Sequence, residues 1–295
     1  MRQTHPSISS ERGVTLIELV LAMVLVAIIV GATIYFAYPV QQSAGIPVRA
    51  ELTNAADHAL QRIARDVRLA LPNSIRDPGC APLCIEFIPV RTAGRYRTEA
   101  SGAGCDPTTD ASGSDELAFD VLDTCFKSLG PIQNATSIVN NSDFLVLNNT
   151  GLADQNAYVT SANPNRVQIS QAVEQGAVRE RINFSSFMFK RALHDSPGKR
   201  FFVVTTPVTY ACEGSILKRY SGYGLGAAYT GGTSVDVASD VASCNFIYSQ
   251  NVSPQIGLLT LQLTLSKALP RTGNETVTRN ESVTLYHSLH VANVP

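Results

Sequence analysis

The chain has 295 residues, of which 44% are hydrophobic, and its 23 basic and 24 acidic side chains leave a formal net charge of −1. A chain of this length can bury one large core or two smaller ones. The near-neutral charge and the absence of any run of Lys or Arg argue against a nucleic-acid-binding protein, which needs a basic surface to displace the counterions of phosphates.

Residues 14–38 form an apolar segment in which Glu18 is the one charged residue. At about 1.5 Å per residue, a helix of this length spans the roughly 30 Å of a bilayer core. Arg2 and Arg12 precede the segment and the next basic residue is Arg49, so the positive-inside rule predicts a cytoplasmic N-terminus and translocation of the remainder. A secretory signal peptide is disfavoured because its apolar core would be shorter. A simple membrane anchor leaves Glu18 unexplained, because a carboxylate is costly within a bilayer.

The stretch RGVTLIELVLAMVLVAIIV resembles the N-terminus of a type IV prepilin, with a polar leader that ends in Gly13 and a T-L-I-E-L sequence that opens the hydrophobic helix. The resemblance implies that prepilin peptidase cuts between Gly13 and Val14 and methylates the new amino group of Val14. The family usually has phenylalanine at this position. We expect the Glu18 carboxylate to neutralise the N-terminal amino group of a neighbouring subunit, because either charge alone is costly among packed apolar helices. The alternative is a glutamate that is satisfied within its own helix.

A second helix is predicted beyond Pro39, Gly45 and Pro47, which should bend or interrupt the first one. Apolar residues recur there at spacings of three and four and form one stripe: Val48, Leu52, Ala56, Leu60, Ile63, Val67 and Leu71. We expect the opposite face to be solvated, and it carries Arg49, Asp57, Arg62, Arg65 and Asp66. Pro72 should end this helix at Leu71, because proline disfavours helical geometry in the residue before it.

From residue 72 onward the pattern predicts β-strands at 84–90, 117–122, 143–148, 166–170, 182–189, 200–206, 208–212, 245–249, 257–266 and 282–291. The clearest is 257–266, where leucines at every second position alternate with polar residues, as in a half-buried strand. Segments 91–115 and 221–240 are predicted to be loops.

The predicted fold is therefore α+β and type IV pilin-like, with a long N-terminal helix, membrane-spanning in its first half, packed on a β-rich globular head. The predicted organisation has four parts. A prepilin leader occupies 1–13, a transmembrane or filament-core helix 14–38, a kink and amphipathic helix 39–71, and the head 72–295.

Six cysteines follow the apolar segment: Cys80, Cys84, Cys105, Cys125, Cys212 and Cys244. An even count beyond a membrane segment predicts disulfides that form in an oxidising compartment. A metal site is disfavoured because CAPLC has a three-residue gap, no C-x-x-C follows it and no histidine lies near. Proximity in sequence suggests that Cys80 pairs with Cys84 and Cys105 with Cys125.

Further stretches are LQRIARDVRLALPNSIR, CIEFIPV with GRYR, FFVVTTPVTYACEG, LKRYSGY, GLLTLQLTLS and VTLYHSLHVANVP. Together they resemble the MshO group, which are minor pilin-like biogenesis proteins of the mannose-sensitive haemagglutinin (MSHA) pilus and are related to pseudopilin J of type II secretion. This resemblance implies a disulfide between Cys212 and Cys244. It also implies a minor subunit that takes part in assembly of the pilus at its tip.

The two resemblances also imply partners and a location. The partners are prepilin peptidase, the major pilin and other minor pilins, and the inner-membrane assembly platform. Before assembly the chain is a single-pass inner-membrane protein of a Gram-negative bacterium with its head in the periplasm, and afterwards it belongs to a pilus or periplasmic pseudopilus. A type II secretion pseudopilin of the J type stays an alternative, because it shares every feature of the N-terminus. A membrane-anchored periplasmic enzyme or receptor is a more distant one.

The sequence predicts no catalytic residue, no metal site and no cofactor. His287 and His290 lie three apart on a predicted strand, so they should face opposite sides and cannot share a metal ion there. Five acidic residues resemble a calcium loop only loosely, and a solvated loop that leads into a strand explains them better. They are Asp110, Asp115, Glu116, Asp120 and Asp123.

Two further segments have plain structural interpretations. His194 and Asp195 precede Ser196 without a nucleophile elbow, and a β-turn accounts for the Asp-Ser-Pro-Gly string. The glycine-rich segment 224–232 lacks the phosphate-loop pattern and is predicted to be a flexible surface loop.

Overall fold

The computed structural model describes residues 15–42, 45–98, 116–175, 178–253, 255–269 and 279–295, and at 36–42, 45, 171–175, 178–180 and 251–253 it describes the backbone only. The chain divides into two compact units, Met1–Ala50 with Ala268–Glu281, and Glu51–Lys267 with Ser282–Pro295. The fold class is α+β, as predicted: an apolar N-terminal helix and a β-rich head.

Two long helices open the described chain. Helix α1 spans Leu16–Gln42 and helix α2 spans Gly45–Arg68. Pro39 lies inside α1 and Pro47 lies in the first turn of α2, where its missing N–H costs no intrahelical hydrogen bond. The predicted apolar stripe is buried from Leu52 onward, while Val48 is only half-buried.

Helix α2 ends three residues before the predicted position. The N–H of Leu71 donates to the carbonyl of Ile88 at 2.8 Å, and Val90 N–H donates to the carbonyl of Leu69 at 2.7 Å. These bonds draw the chain out of the helix and onto the start of the β-region. Leu71 is still completely buried, so the apolar stripe continues beyond the end of the helix.

The prediction that the polar face of α2 is solvated is wrong at Asp66. Its Oδ2 accepts hydrogen bonds from the Tyr210 hydroxyl at 2.8 Å and from Arg219 Nε at 2.9 Å. Arg62 and Arg65 are exposed as expected, whereas Asp66 is half-buried against the sheet. Helical periodicity gives the angle of a residue on its helix, but it does not show how far a neighbouring sheet extends around that helix.

Thirteen strands lie in the described residues. They are β1 Cys84–Phe87, β2 Val90–Arg95, β3 Asp123–Lys127, β4 Phe144–Leu147, β5 Arg166–Gln175, β6 Val178–Phe187, β7 Arg200–Val204, β8 Val208–Glu213, β9 Ile216–Ser221, β10 Thr233–Ala238, β11 Val241–Ser253, β12 Ile256–Ala268 and β13 Asn280–Ala292. A single helical turn, α3, spans Arg191–His194.

These strands form three sheets. A six-stranded sheet has the order β2-β7-β4-β5-β6-β3, a four-stranded sheet has the order β1-β8-β9-β10, and a three-stranded sheet has the order β11-β12-β13. In β12 the predicted alternation is confirmed, because Leu259, Leu261, Leu263 and Leu265 are buried and the residues between them are half-buried.

Four predictions of secondary structure were wrong, two of strands and two of loops. The predicted strand 84–90 divides into β1 and β2 around Ile88 and Pro89. The predicted strand 117–122 is not one: Asp120 has a positive φ of 64°, and the Asp123 carboxylate accepts the N–H of Ala118 at 2.9 Å, so the chain turns there. The predicted loops 91–115 and 221–240 contain most of β2 and all of β10.

The head has an aromatic core on one face of the six-stranded sheet. Phe126 and Phe201 meet edge to face with ring centroids 5.0 Å apart, and Phe184 and Phe189 are buried beside them. Gly94 lies directly opposite Phe201 across β2 and β7, and a Cβ atom at Gly94 would lie 2.6 Å from Phe201 Cζ. Glycine is therefore required there for the ring to pack over the backbone.

Candidate functional site

Helix α1 exposes apolar side chains around its whole circumference. From Leu16 to Tyr35 every residue is exposed, including Leu16 at 82% and Tyr35 at 77%. A helix that is apolar all round is stable only when lipid or other helices cover it. Within the described residues, Leu16–Tyr35 is the one helix long and apolar enough to cross a membrane.

Glu18 is the exception on this helix. Its backbone N–H donates to the Thr15 carbonyl at 3.0 Å in the first turn, where the helix dipole favours a carboxylate. Its side chain is exposed and makes no hydrogen bond or ion pair with any described residue. Thr33, by contrast, is satisfied by its own helix, since its Oγ1 donates to the Val30 carbonyl at 2.8 Å. Glu18 therefore offers an unpartnered acceptor on an apolar surface.

The predicted cleavage residues Gly13 and Val14 lie outside the described residues. The described helix begins at Leu16, so the Glu18 carboxylate lies within one helical turn of the start of α1. The Glu18 carboxylate therefore lies close to the end of the apolar segment at which the sequence predicts cleavage.

The head holds a second carboxylate in the opposite situation. Glu86, in β1, is completely buried, and its Oε1 accepts a hydrogen bond from Arg76 Nε at 2.6 Å. Its Oε2 accepts hydrogen bonds from the Thr209 hydroxyl at 3.2 Å and from the Tyr223 hydroxyl at 3.0 Å. The two hydroxyl oxygens also lie 2.6 Å apart, so their protons are shared between each other and Oε2. Together with Arg76 they compensate the charge that burial would otherwise make costly.

Two tyrosines complete this buried network. The guanidinium of Arg76 lies 3.5 Å from the ring centroid of Tyr158, whose hydroxyl donates to the Ser74 carbonyl at 2.9 Å. Burial and the Glu86 charge raise the pKa of Tyr158 well above its ordinary value. Burial likewise raises the pKa of Tyr223. Both shifts favour the neutral form of the phenols, which pack on and hydrogen-bond to the Arg76–Glu86 pair.

Sequence reasoning missed both the Glu86 network and the role of Asp66. A signal for Glu86 was present, because it is the one charged residue within the apolar stretch CIEFIPV. A charge at a buried strand position needs a partner. Its partners could not be inferred, since Arg76, Thr209 and Tyr223 come from three separate parts of the chain.

The segment around His194 is structural, as predicted. His194 is completely buried, its Nδ1 accepts the N–H of Lys190 at 3.0 Å, and its Nε2 lies 3.1 Å from the Asp154 carbonyl. Burial lowers the pKa of this imidazole. Asp195 accepts a hydrogen bond from the Tyr96 hydroxyl at 2.6 Å, and Lys199 N–H donates to the Ser196 carbonyl at 2.9 Å, which closes the β-turn.

The cysteines that the structure describes are bonded. Disulfides join Cys80 to Cys84 and Cys212 to Cys244. Asp77 lies with Cys80 and Cys84 in the one described group whose ligand atoms could meet at a metal ion. Both sulfurs are bonded to each other, however, so only the Asp77 carboxylate would remain as an anionic ligand. The predicted pairing of Cys105 with Cys125 lies outside the described residues because Cys105 does.

Expectations from the sequence also concern the histidine pair of β13, the acidic run and the segment 224–232, and the structure differs from them only at 224–232. His287 and His290 lie on β13 as predicted, three residues apart. Of the acidic run, Glu116, Asp120 and Asp123 are described and Asp110 and Asp115 are not. The segment 224–232 is not simply a flexible surface loop, because it packs closely on the head: a Cβ at Gly226 would lie 2.8 Å from the Tyr158 carbonyl oxygen.

Comparison with known proteins identifies the N-terminal region. A family model described as the prokaryotic N-terminal methylation motif matches residues 8–34. No curated protein and no solved structure matches the chain significantly. The motif covers residues 8–13 of the predicted leader and most of the exposed part of α1, and it implies processing by prepilin peptidase and anchoring in a membrane before assembly. It supports a type IV pilin-like or pseudopilin-like structural protein.

Proposed function

We propose that the chain is a minor subunit of a type IV, MSHA-like pilus, cut between Gly13 and Val14, methylated at Val14 and assembled at the tip of the filament. The observation that carries this proposal is helix α1. It is apolar on every side, bears one carboxylate without a described partner, and coincides with the N-terminal methylation motif at 8–34.

In this proposal helix α1 has two successive environments. It first spans the inner membrane of a Gram-negative bacterium, with the leader in the cytoplasm and the head in the periplasm. It then leaves the lipid and packs among the helices of other subunits. Both environments cover the same apolar surface, so the transfer loses little hydrophobic stabilisation.

Glu18 fixes the position at which a subunit docks during this transfer. The mature N-terminus at Val14 carries a positive charge, and the Glu18 carboxylate of the neighbouring subunit pairs with it inside a bundle that excludes water. A subunit docked one turn out of position would leave both charges buried and alone, which is strongly unfavourable. The proposed parts of the chain are the leader 1–13, the filament-core helix 14–38, the kink and amphipathic helix 39–71, and the head 72–295.

The assignment as a minor subunit at the tip rests on the resemblance to the MshO group and on the large head. A bulky head suits the end of a thin filament better than its repeating body. The proposed partners are prepilin peptidase, the major pilin, other minor pilins and the inner-membrane assembly platform.

The test is the intact mass and N-terminal peptide of the membrane-extracted protein, from cells with and without prepilin peptidase. We expect a methylated chain that begins at Val14 only when the peptidase is present. A chain that begins at Met1 or near Thr33 in both strains would overturn the proposal. Subunits that copurify with the mature protein then distinguish a pilus from a type II secretion pseudopilus.

A further inference from the structure

An open apolar groove lies in the head, where the end of α2 and the last part of β13 border strands β2 and β7. Its volume is about 580 Å³, within the range of sites that bind ligands. The apolar wall includes Leu69, Val90, Phe202 and Val291. Leu69 is 57% exposed although the neighbouring residues of the stripe are buried.

The charged groups of this groove are all basic. Arg68, Arg200 and His290 line it, and no carboxylate does in the described part of the chain. Neither arginine side chain makes a hydrogen bond or ion pair with any described residue. Other arginines of the head are paired with acids, as Arg76 is with Glu86 and Arg219 with Asp66. Within the described residues, the groove therefore provides no counter-ion for its two guanidinium groups.

A cross-strand pair makes this arrangement more costly. Arg95 in β2 and Arg200 in β7 are directly opposite each other, so their side chains leave the same face of the sheet. Like charges in this relation destabilise a sheet. Gly198 provides the room for Arg200, because a Cβ at Gly198 would lie 3.1 Å from Arg200 Nε. Within the described residues this pair has no acidic partner, so we infer that the face attracts negative charge.

We propose that this groove binds an extended segment of a partner protein in which carboxylates alternate with apolar side chains. Carboxylates match the planar forks of Arg68 and Arg200, which favour paired hydrogen bonds. The apolar side chains would cover Leu69, Phe202 and Val291. An extended segment suits the groove because β13 is a terminal strand of its sheet in the described chain, so backbone groups lie at the border.

The C-terminal stretch LHVANVP supplies much of the groove, through His290, Val291, Ala292 and Val294. The site therefore depends on the end of the chain being folded back beside α2. The identification of the partner as a neighbouring filament subunit rests on the proposed function. The chemistry of the bound segment does not, because it is argued from the groove alone. A protein that failed the N-terminal processing test could still bind such a segment, so the two proposals can fail separately.

The binding test uses the purified full chain in non-ionic detergent and a fluorescein-labelled peptide in which leucine and aspartate alternate. We expect saturable binding by fluorescence anisotropy, weakened roughly tenfold by the double substitution Arg68→Gln and Arg200→Gln. Arg62→Gln is the matched control, because Arg62 is exposed on the same helix and does not line the groove. Empty micelles provide the blank.

Two altered peptides test the chemistry of the occupant. A leucine–lysine peptide should not bind, and an aspartate–serine peptide should bind about tenfold more weakly. Equal binding of the aspartate–serine peptide, or equal binding by the double variant, would overturn the proposal. Absence of any peptide binding would do so too. Displacement of bound peptide by phosphatidylglycerol vesicles but not by phosphatidylcholine vesicles would point instead to an anionic membrane surface.

Stability provides an independent readout. Arg95→Gln removes the like-charge pair, so we expect the melting temperature to rise by about 2 °C. A structural arginine would behave in the opposite way, since its loss would lower the melting temperature. Such a decrease for Arg95→Gln would contradict the inference that external negative charge is required at this face.

Discussion

Glu18 and Glu86 are two carboxylates in apolar surroundings that differ in where their partners come from. Glu86 lies in the head, completely buried, with Arg76, Thr209 and Tyr223 bonded to its two oxygens. Glu18 lies on α1 and has no described partner for its side chain. A buried carboxylate that is fully satisfied within its own chain holds the fold together. One that is unpartnered on an apolar surface is expected to find its partner in another molecule.

The same contrast separates the two long helices. Helix α2 buries one stripe against the head and connects Asp66 to Tyr210 and Arg219. Helix α1 has exposed residues on every side from Leu16 to Tyr35. An amphipathic helix is completed by its own chain, whereas an all-apolar helix requires either lipid or other subunits. The stability of the head and the assembly of the protein should therefore respond to different mutations.

The largest expected effect is that of Glu18→Gln on assembly. Loss of one member of a water-excluded ion pair costs about 3–5 kcal/mol, so incorporation into filaments should fall by roughly a hundredfold or more. The urea midpoint of the head should not change, because Glu18 makes no hydrogen bond or ion pair with any described residue. Quantitative immunoblotting of sheared filaments against cell membranes measures the first effect and circular dichroism the second.

Two controls sharpen this prediction. Glu51→Gln changes an exposed glutamate of α2 that pairs with Lys267, and we expect it to leave assembly intact. Processing at Gly13 should also be unaffected in the Glu18 variant. Normal incorporation of Glu18→Gln would show that the carboxylate does not guide docking.

The next largest effect is that of Glu86→Ala on the stability of the head. It leaves Arg76, Thr209 and Tyr223 without their acceptor, and we expect the free energy of unfolding to fall by about 3 kcal/mol. The loss is near the lower end for broken buried pairs because 36% of the Arg76 side chain is exposed and can be hydrated. Urea denaturation of the purified chain provides the measurement.

Glu86→Gln is the matched variant for this network. It removes the charge and keeps one oxygen for the two hydroxyl groups, but its amide NH2 then faces the Arg76 donor, so about 2 kcal/mol should be lost. Equal losses for the alanine and glutamine variants would show that charge, rather than hydrogen-bond satisfaction, dominates at Glu86.

The smallest expected effect is a pH dependence that comes from His194. Burial lowers the pKa of this imidazole, so the folded state favours the neutral form while the unfolded chain binds a proton near its ordinary pKa of 6.5. The stability contribution is therefore complete above about pH 6.5 and is lost as the pH falls below that value, with a slope of at most about 1.4 kcal/mol per pH unit. The carboxylates of Asp77 and Asp195 have lowered pKa values, so their contributions are lost only at more acidic pH.

Urea midpoints between pH 7.5 and pH 5 measure this slope. His194→Gln should be less stable at neutral pH and should lose this pH step, whereas His58→Gln, at an exposed position of α2, should keep it. A wild-type midpoint that stays constant over this range would contradict the assignment of His194 as a buried neutral group.

Local patterns predicted a large part of the fold. The stripe from Leu52 to Leu71 and the leucine alternation of β12 are both buried as expected, because side-chain periodicity alone decides which face of an element is apolar. Strands β3, β9 and β10 were missed. The sequences DTCFK, ILKRYS and TSVDVA are too short or too polar to show a clear alternation. Each is a strand because a neighbour pairs with it: β6 pairs with β3, β8 with β9, and β9 with β10.

The candidate site on α1 was predictable for the same reason, since Glu18 and its apolar surroundings are adjacent in sequence. The Glu86 network and the basic groove were not. Glu86 gathers donors from residues 76, 209 and 223, and the groove brings Arg68 together with Arg200 and His290. No local pattern records which distant segments will meet.

The sequence by itself determined the N-terminal helix, its single carboxylate and the amphipathic face of α2, because these properties depend on the order of neighbouring residues. Tertiary structure decided the position of every polar group that is satisfied at a distance: Asp66 against the sheet, Glu86 within its network, and the opposed Arg95 and Arg200 beside the groove. The physical reason is that charges and hydrogen-bonding groups are stabilised by whichever partner lies within a few ångströms, and that partner is chosen by the packing of the whole chain.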